Sequence, residues 1–319
     1  MNPAVWNALV PVVLLIAIGY IAVNARLMRA EAVKDLSTLT FSVLTPALLF
    51  RTMGTVHLER LDFRPVLAYF AGAVLMFAAM LAWSGVSRRS AVVALSTSYG
   101  NTVAIGIPLI GLAYGEAALV PLFTLISMNA LVMLTLATIA LEFAVARESG
   151  RAASFASGAE ARHPARIVLA AMRNGIVHPV PLPIIAGLLF AQTGLVLPEV
   201  LDRPLLLLAN AMGPMALMLV GVTLAGTRVG EQLRGALALA ALKNIALPLL
   251  VAGLGWLMGL RGLPLTVMIV AASMPIGANV FMFSQRYEVA QDLVTASVAV
   301  STAMALATVS LAMALAVFI

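Results

Sequence analysis

Two stretches decide how this chain folds: STSYGNTVAIGIP at positions 96–108 and AASMPIGAN at 271–279. Each sits in the middle of an otherwise apolar run, 90–114 and 263–287. Glycine and proline interrupt the helical hydrogen-bond ladder there, which sets backbone N–H and C=O groups free at membrane depth. Lipid cannot satisfy such groups, so they are tolerated where they line a cavity. A half-helix that begins inside the membrane directs several N–H donors and about half a positive charge along its axis, which suits a carboxylate or a phosphate. Asn101 and Asn279 are expected to add neutral amide donors, with Ser98, Gly100, Thr102, Ser273 and Gly277 as further lining and Pro108 and Pro275 as the helix breakers. Neutral donors hold an anion without the cost of burying a full charge. The competing reading is packing, since Gly and Pro are common in transmembrane helices and Asn can bond a neighbouring helix. Recurrence in two halves of the chain favours the site.

Composition sets the surroundings of these breaks. Of 319 residues, 62% are hydrophobic and 10% charged, against roughly 25% charged in a soluble domain. The charges cluster between apolar runs long enough to cross ~30 Å of hydrocarbon, so lipid is the main solvent. A net charge of +6 could point to nucleic acid, but the arginines lie at the ends of apolar runs rather than on one face, and a topology signal is the better reading. With no cysteine and three histidines, neither disulfides nor a metal site is expected.

The apolar runs are predicted to form ten transmembrane helices, near 4–24, 34–53, 65–86, 90–114, 117–146, 178–195, 203–226, 235–259, 263–287 and 291–318. The first has no basic residue before it and is followed by Arg26, Arg29 and Lys34, the reverse of a cleaved signal peptide. It therefore reads as a span with its N-terminus outside the cytoplasm. Ten spans then place the C-terminus on the same side. In that orientation thirteen basic residues face the cytoplasm and five the other side, a positive-inside bias weakened by Arg51, Arg60 and Arg64.

A polar stretch with four arginines, 147–166, separates a first unit, 1–146, from a second, 167–319. It reads as a basic cytoplasmic linker. Five spans is an odd number, so the second unit enters the membrane from the opposite side, which makes an inverted repeat. Pro46 in the second span and Pro214 in the seventh occupy matching places; a packing kink explains both, and ligand contact is the alternative. Asn129 reads as interhelical glue at the depth of the cavity. Lys243 lies inside the eighth span beside Asn244. A lysine there faces a partner or water, with anion attraction or gating on one reading and snorkelling to the membrane edge on the other.

The segments YGNTVAIGIPL (99–109), LTPALLF (44–50) and ASMPIGANVFMFSQRY (272–287) make the chain resemble the auxin efflux carrier family over essentially its whole length. The resemblance implies an all-α integral membrane fold related to that of bile acid:sodium symporters. It comprises two inverted five-helix repeats, with a scaffold domain and a transport domain whose fourth and ninth helices are broken and cross at the substrate. It also implies scaffold helices one, two, six and seven with a homodimer contact, and elevator-like alternating access. The family's crossover positions fall on Asn101 and Asn279. Members of this size with a short central loop are associated with malonate, malate and related carboxylates, so the expected activity is secondary transport of a small organic anion across the inner membrane. An anion channel and an exporter of auxin-like aromatic carboxylates are the alternatives. A coupling ion, H+ or Na+, leaves no sequence trace. No enzyme is expected, since no HExxH, GxSxG or GxGD arrangement occurs; the expected partners are the anion and lipid, with no cofactor.

Overall fold

A backbone surrounded by hydrocarbon has to bond to itself, and every described element is accordingly helical. The computed structural model describes residues 3–28, 30–55, 62–153, 181–225 and 230–316. Helix α1 (Pro3–Asn24) is followed by α2 (Ala30–Leu39), which passes through a π turn (Thr40–Leu44) into α3 (Thr45–Met53). Helix α4 (Arg64–Ser84) leads to the interrupted fourth segment, α5 (Arg88–Ser98), a π turn (Thr102–Gly106) and α6 (Ile107–Tyr114). The fifth segment is α7 (Glu116–Asn129), a π turn (Ala130–Leu134) and α8 (Thr135–Ala153). Then come α9 (Pro181–Gln192) and α10 (Glu199–Ala225). Helix α11 (Leu233–Ala241) continues through a π turn (Leu242–Ala246) into α12 (Leu247–Leu257). The interrupted ninth segment is α13 (Gly262–Ala272) and α14 (Asn279–Arg286), and α15 (Gln291–Ala316) closes the described chain.

Helix thus occupies part of each of the ten apolar runs. Among the described residues six helices are long and apolar enough to cross a membrane: Asp35–Met53, Arg64–Ser84, Glu116–Val145, Glu199–Ala225, Gly230–Leu257 and Gln291–Ala316. The first, fourth, sixth and ninth runs carry shorter apolar helices, Val10–Asn24, Thr102–Tyr114, Leu182–Gln192 and Gly262–Ala272. The fifth segment remains helical to Ala153, past the expected start of the linker at 147; residues 154–166 of that linker lie outside the described chain. Three of the four π turns precede a proline at the second residue of the next helix, Pro46, Pro108 and Pro248. Proline lacks an N–H and its ring crowds the carbonyl four residues back. A widened turn accommodates this by bonding one residue further, Thr45 to Thr40, Ile107 to Thr102 and Leu247 to Leu242.

The helices sort into two groups by packing. One comprises α1, α2, α3, α9 and α10, with the broadest contact between α1 and α10. In lipid, close helix packing depends on small residues that let backbones meet. A Cβ on Gly19 would run into the Met218 carbonyl, and one on Gly221 into the Ile16 carbonyl. A Cβ on Gly187 would lie 2.6 Å from the Phe50 carbonyl, so α9 rides on α3 in the same manner. The Arg51 guanidinium on α3 donates to both Asp202 oxygens on α10, at 2.8 and 3.2 Å. The second group comprises α4, α5, α7, α8 and α11 through α15, packed around a buried core that includes Tyr69, Phe77, Leu95, Phe123, Val267 and Met268. Contacts between the groups run mainly through α1, α10 and the fourth segment, where Gly213 faces Pro108.

Candidate site at the two helix breaks

Helix α5 starts on a Ser87 cap, whose hydroxyl accepts from the Ser90 N–H. It stops at Ser98 because Tyr99 is extended, with φ −104° and ψ 116°. The chain resumes helix at Thr102, capped by Asn101, whose Oδ1 accepts from the Ala104 N–H at 3.2 Å. In the ninth segment α13 ends at Ala272 and α14 begins at Asn279. The two unwound stretches run antiparallel. Asn101 N–H donates to the Pro275 carbonyl at 2.7 Å, Gly277 N–H donates to the Tyr99 carbonyl at 3.0 Å, and Gly100 faces Ile276 between them. Each break therefore satisfies part of the other's backbone, which is what unwound chain at membrane depth requires.

Both central glycines are needed for space; neither has a positive φ. A Cβ on Gly277 would lie 2.7 Å from the Tyr99 ring, and one on Gly100 would lie 3.2 Å from Lys243 Nζ. Tyr99 is fixed in turn, its hydroxyl accepting from Asn279 Nδ2 at 3.0 Å.

Accessibility separates front from back. Residues 271–277 are all buried, and so are Ser98, Gly100 and Thr102, whereas Asn101, Val103 and Asn279 are half-buried and Ala278 is exposed. Ser98 and Ser273 turn inward, their hydroxyls donating to the Ala94 and Val270 carbonyls of their own helices. The accessible polar side chains of the two breaks are thus Asn101 and Asn279; among the described residues Asn101 Nδ2 and Asn279 Oδ1 have no partner. Beside Asn101, no backbone carbonyl among the described residues accepts from the N–H groups of Thr102 and Val103, the unpaired donors expected of a helix N-terminus.

Lys243 is fully buried and points to the ninth break rather than to the membrane edge. Its Nζ donates to the Ala272 carbonyl at 2.6 Å and the Met274 carbonyl at 2.7 Å. A cation at the negative end of α13 is the favoured arrangement, and among the described residues no carboxylate pairs with it. Asn129 is 2% exposed, at the end of α7, and its Oδ1 has no partner among the described residues. Pro46 is half-buried in α3, and Pro214 is exposed on α10 next to Gly213. Sequence reasoning did not foresee Ser301, which bonds the Ile276 N–H, or Tyr99 as the partner of Asn279. A hydroxyl in the middle of an apolar helix was the available signal for Ser301. Among the described residues no cluster of metal-ligating side chains occurs.

Membrane-length apolar helices, with two further apolar segments broken midway and paired against each other, define a multi-pass membrane protein. A family model for membrane transport proteins matches residues 4–313, and the chain belongs to that family, the auxin efflux carrier family of the resemblance. It is 27% identical over 302 residues to a protein of Rhizobium meliloti (strain 1021) named "Putative malonate transporter", covering 92% of this chain and 90% of that one.

Proposed function

We propose that the protein is an elevator-type secondary transporter that carries a small organic anion, a short dicarboxylate such as malonate, across the inner membrane. The observation that carries this reading is the paired break: two half-helix starts at mid-span, one with the accessible amide donor of Asn101 and the other with Asn279, whose Nδ2 donates one of its two hydrogens to the Tyr99 hydroxyl, in front of a buried ammonium, Lys243. Donors at two helix starts suit the carboxylate ends of one ligand, and the positive charge behind them raises the local potential without direct contact. The name of the Rhizobium meliloti relative supports the choice of malonate.

In this reading the ten segments form two inverted five-helix repeats, and the two packing groups are scaffold and transport domain. The glycine-tight α1–α10 and α3–α9 contacts suit a fixed scaffold. The N- and C-termini lie outside the cytoplasm. Two of the three outer arginines that weaken the positive-inside bias are paired, Arg51 with Asp202 and Arg64 with Asp62. The Arg64 side chain holds the Asp62 carboxyl below its usual range, so this outer connection carries less net positive charge than its arginines suggest.

Uptake of radiolabelled malonate into proteoliposomes, under imposed proton or sodium gradients, tests the proposal. Saturable uptake with counterflow, competed by malate or succinate and not by an aromatic acid such as indole-3-acetate, is expected. Absence of any carboxylate flux, or conductance of pore magnitude, overturns it.

A further inference from the structure

The ninth break is held from behind by more than Lys243. Ser301, in the middle of α15 and fully buried, accepts from the Ile276 N–H through its Oγ at 3.0 Å. That hydroxyl donates its proton to Asn244 Oδ1 at 2.7 Å, and Asn244 Nδ2 donates to the Ser301 carbonyl at 2.8 Å. A hydroxyl has one proton and two lone pairs. Once Asn244 takes the proton, a lone pair is left for the Ile276 amide, so Asn244 orients Ser301 and Ser301 orients the break. Ile276 needs this help because its place opposite Gly100 turns its N–H away from the paired strand.

The π turn Leu242–Ala246 makes the arrangement possible. It presents consecutive side chains to two targets, Lys243 to the carbonyls of Ala272 and Met274, and Asn244 to α15. Peptide groups of Ala272, Met274 and Ile276 are thereby fixed on the buried side. Ala278 and Asn279, the start of α14, are left on the accessible side.

We infer that Asn244 and Ser301 are positioning residues of the anion site: by fixing the Ile276 peptide they set where the α14 N-terminus and Asn279 stand, and hence how tightly the anion is held. This rests on the reading of the breaks as the anion site. Neither residue touches the ligand.

The test is Ser301→Ala, Asn244→Ala, the double variant and Ser301→Thr in the full chain. Backbone hydrogen exchange across 273–280 and malonate uptake are measured side by side, with melting temperature as a control. Each single alanine variant is expected to speed exchange at Ile276 at least tenfold and to raise KM for malonate about tenfold at nearly unchanged Vmax. The double variant is expected to be no worse than either single, because both changes remove one coupled unit. Ser301→Thr, which keeps the hydroxyl, is expected to restore both readouts.

Wild-type exchange and wild-type KM in Ser301→Ala overturn the inference. So do additive effects in the double variant, or a loss confined to Vmax and melting temperature. Where alanine at 301 yields no folded protein, Ser301→Cys, close in size and a weak hydrogen-bonding group, is expected to give the same exchange and KM changes. Exchange at Ile276 needs no transport, so a wild type that moves no carboxylate sinks the transport reading while exchange still decides whether Ser301 and Asn244 hold the peptide.

Discussion

The breaks in the fourth and ninth segments lie against one another and share backbone hydrogen bonds, yet they are supported differently. The ninth is gripped by side chains from two other segments: Lys243 on its carbonyls, and Ser301, oriented by Asn244, on its one inward amide. The fourth is capped by its own Asn101 and otherwise leans on the ninth through Asn101 N–H and the Tyr99 carbonyl. One break is anchored and the other rests on it. A lysine serves the anchored break because that side is fully enclosed and faces a helix C-terminus, whereas neutral amides face the accessible side.

If that division holds, the largest effect follows from removing the anchor's charge. Lys243→Met keeps the length of the stem and leaves the Ala272 and Met274 carbonyls without their donor. Loss of a buried bond to a charged group is worth about 1.5–3 kcal/mol, so malonate uptake is expected to fall about 100-fold. Lys243→Arg is not expected to rescue it, because a planar fork cannot occupy the space of a compact ammonium. Wild-type uptake in Lys243→Met would show that the ninth break does not depend on its anchor.

Next come the glycines, which differ in what they meet. Gly277→Ala drives a Cβ to 2.7 Å from a Tyr99 ring that Asn279 holds in place, with the Gly100 carbonyl at 3.2 Å. Gly100→Ala meets the end of the Lys243 side chain at 3.2 and 3.3 Å. A stem can yield by a few tenths of an ångström where a wedged ring and a backbone carbonyl cannot. Uptake is therefore expected to fall a few tens of fold in Gly277→Ala and several-fold in Gly100→Ala, measured as initial rates at equal protein. The reverse order would place the rigid contact at the fourth break.

Asn101→Ala removes the cap and the accessible amide of the self-supported break together. Loss of the cap costs about 1 kcal/mol of stability, and loss of a ligand donor about as much in affinity. KM is expected to rise roughly tenfold with expression and Vmax retained, whereas Asn101→Asp keeps the cap but sets a negative charge against the anion and is expected to raise KM further.

Much of this was legible in the sequence because the physics was local. Scarcity of charge and long apolar runs specify lipid, and Gly, Asn and Pro in the middle of such runs specify a break whatever surrounds it. The direction of Lys243 was not legible: the same residue at the same depth could snorkel, and its aim is fixed by a π turn and by the position of α13. The π turns themselves end two residues before Pro46, Pro108 and Pro248, but Pro11, Pro121, Pro204 and Pro214 sit inside helices with none ahead of them, so proline alone is an insufficient sign. Ser98 and Ser273 looked like lining and instead bond their own helices, as hydroxyls in helices commonly do. Ser301 gained its role only because α15 passes behind the ninth break, which is a tertiary fact.

The smallest effect belongs away from the breaks, and for that reason it isolates them. Arg51 and Asp202 link α3 to α10 with good two-pronged geometry, but both side chains are about a third exposed. Such a pair contributes little, at most about 1 kcal/mol, because water and salt screen it. It also joins two helices already locked by larger contacts. Asp202→Asn is therefore expected to lower the melting temperature by a degree or two and to leave KM for malonate within twofold of wild type. A KM change as large as that of Asn101→Ala would mean that the α3–α10 contact is coupled to the anion site. The packing group around α1 and α10 could not then be the fixed partner against which the broken segments move.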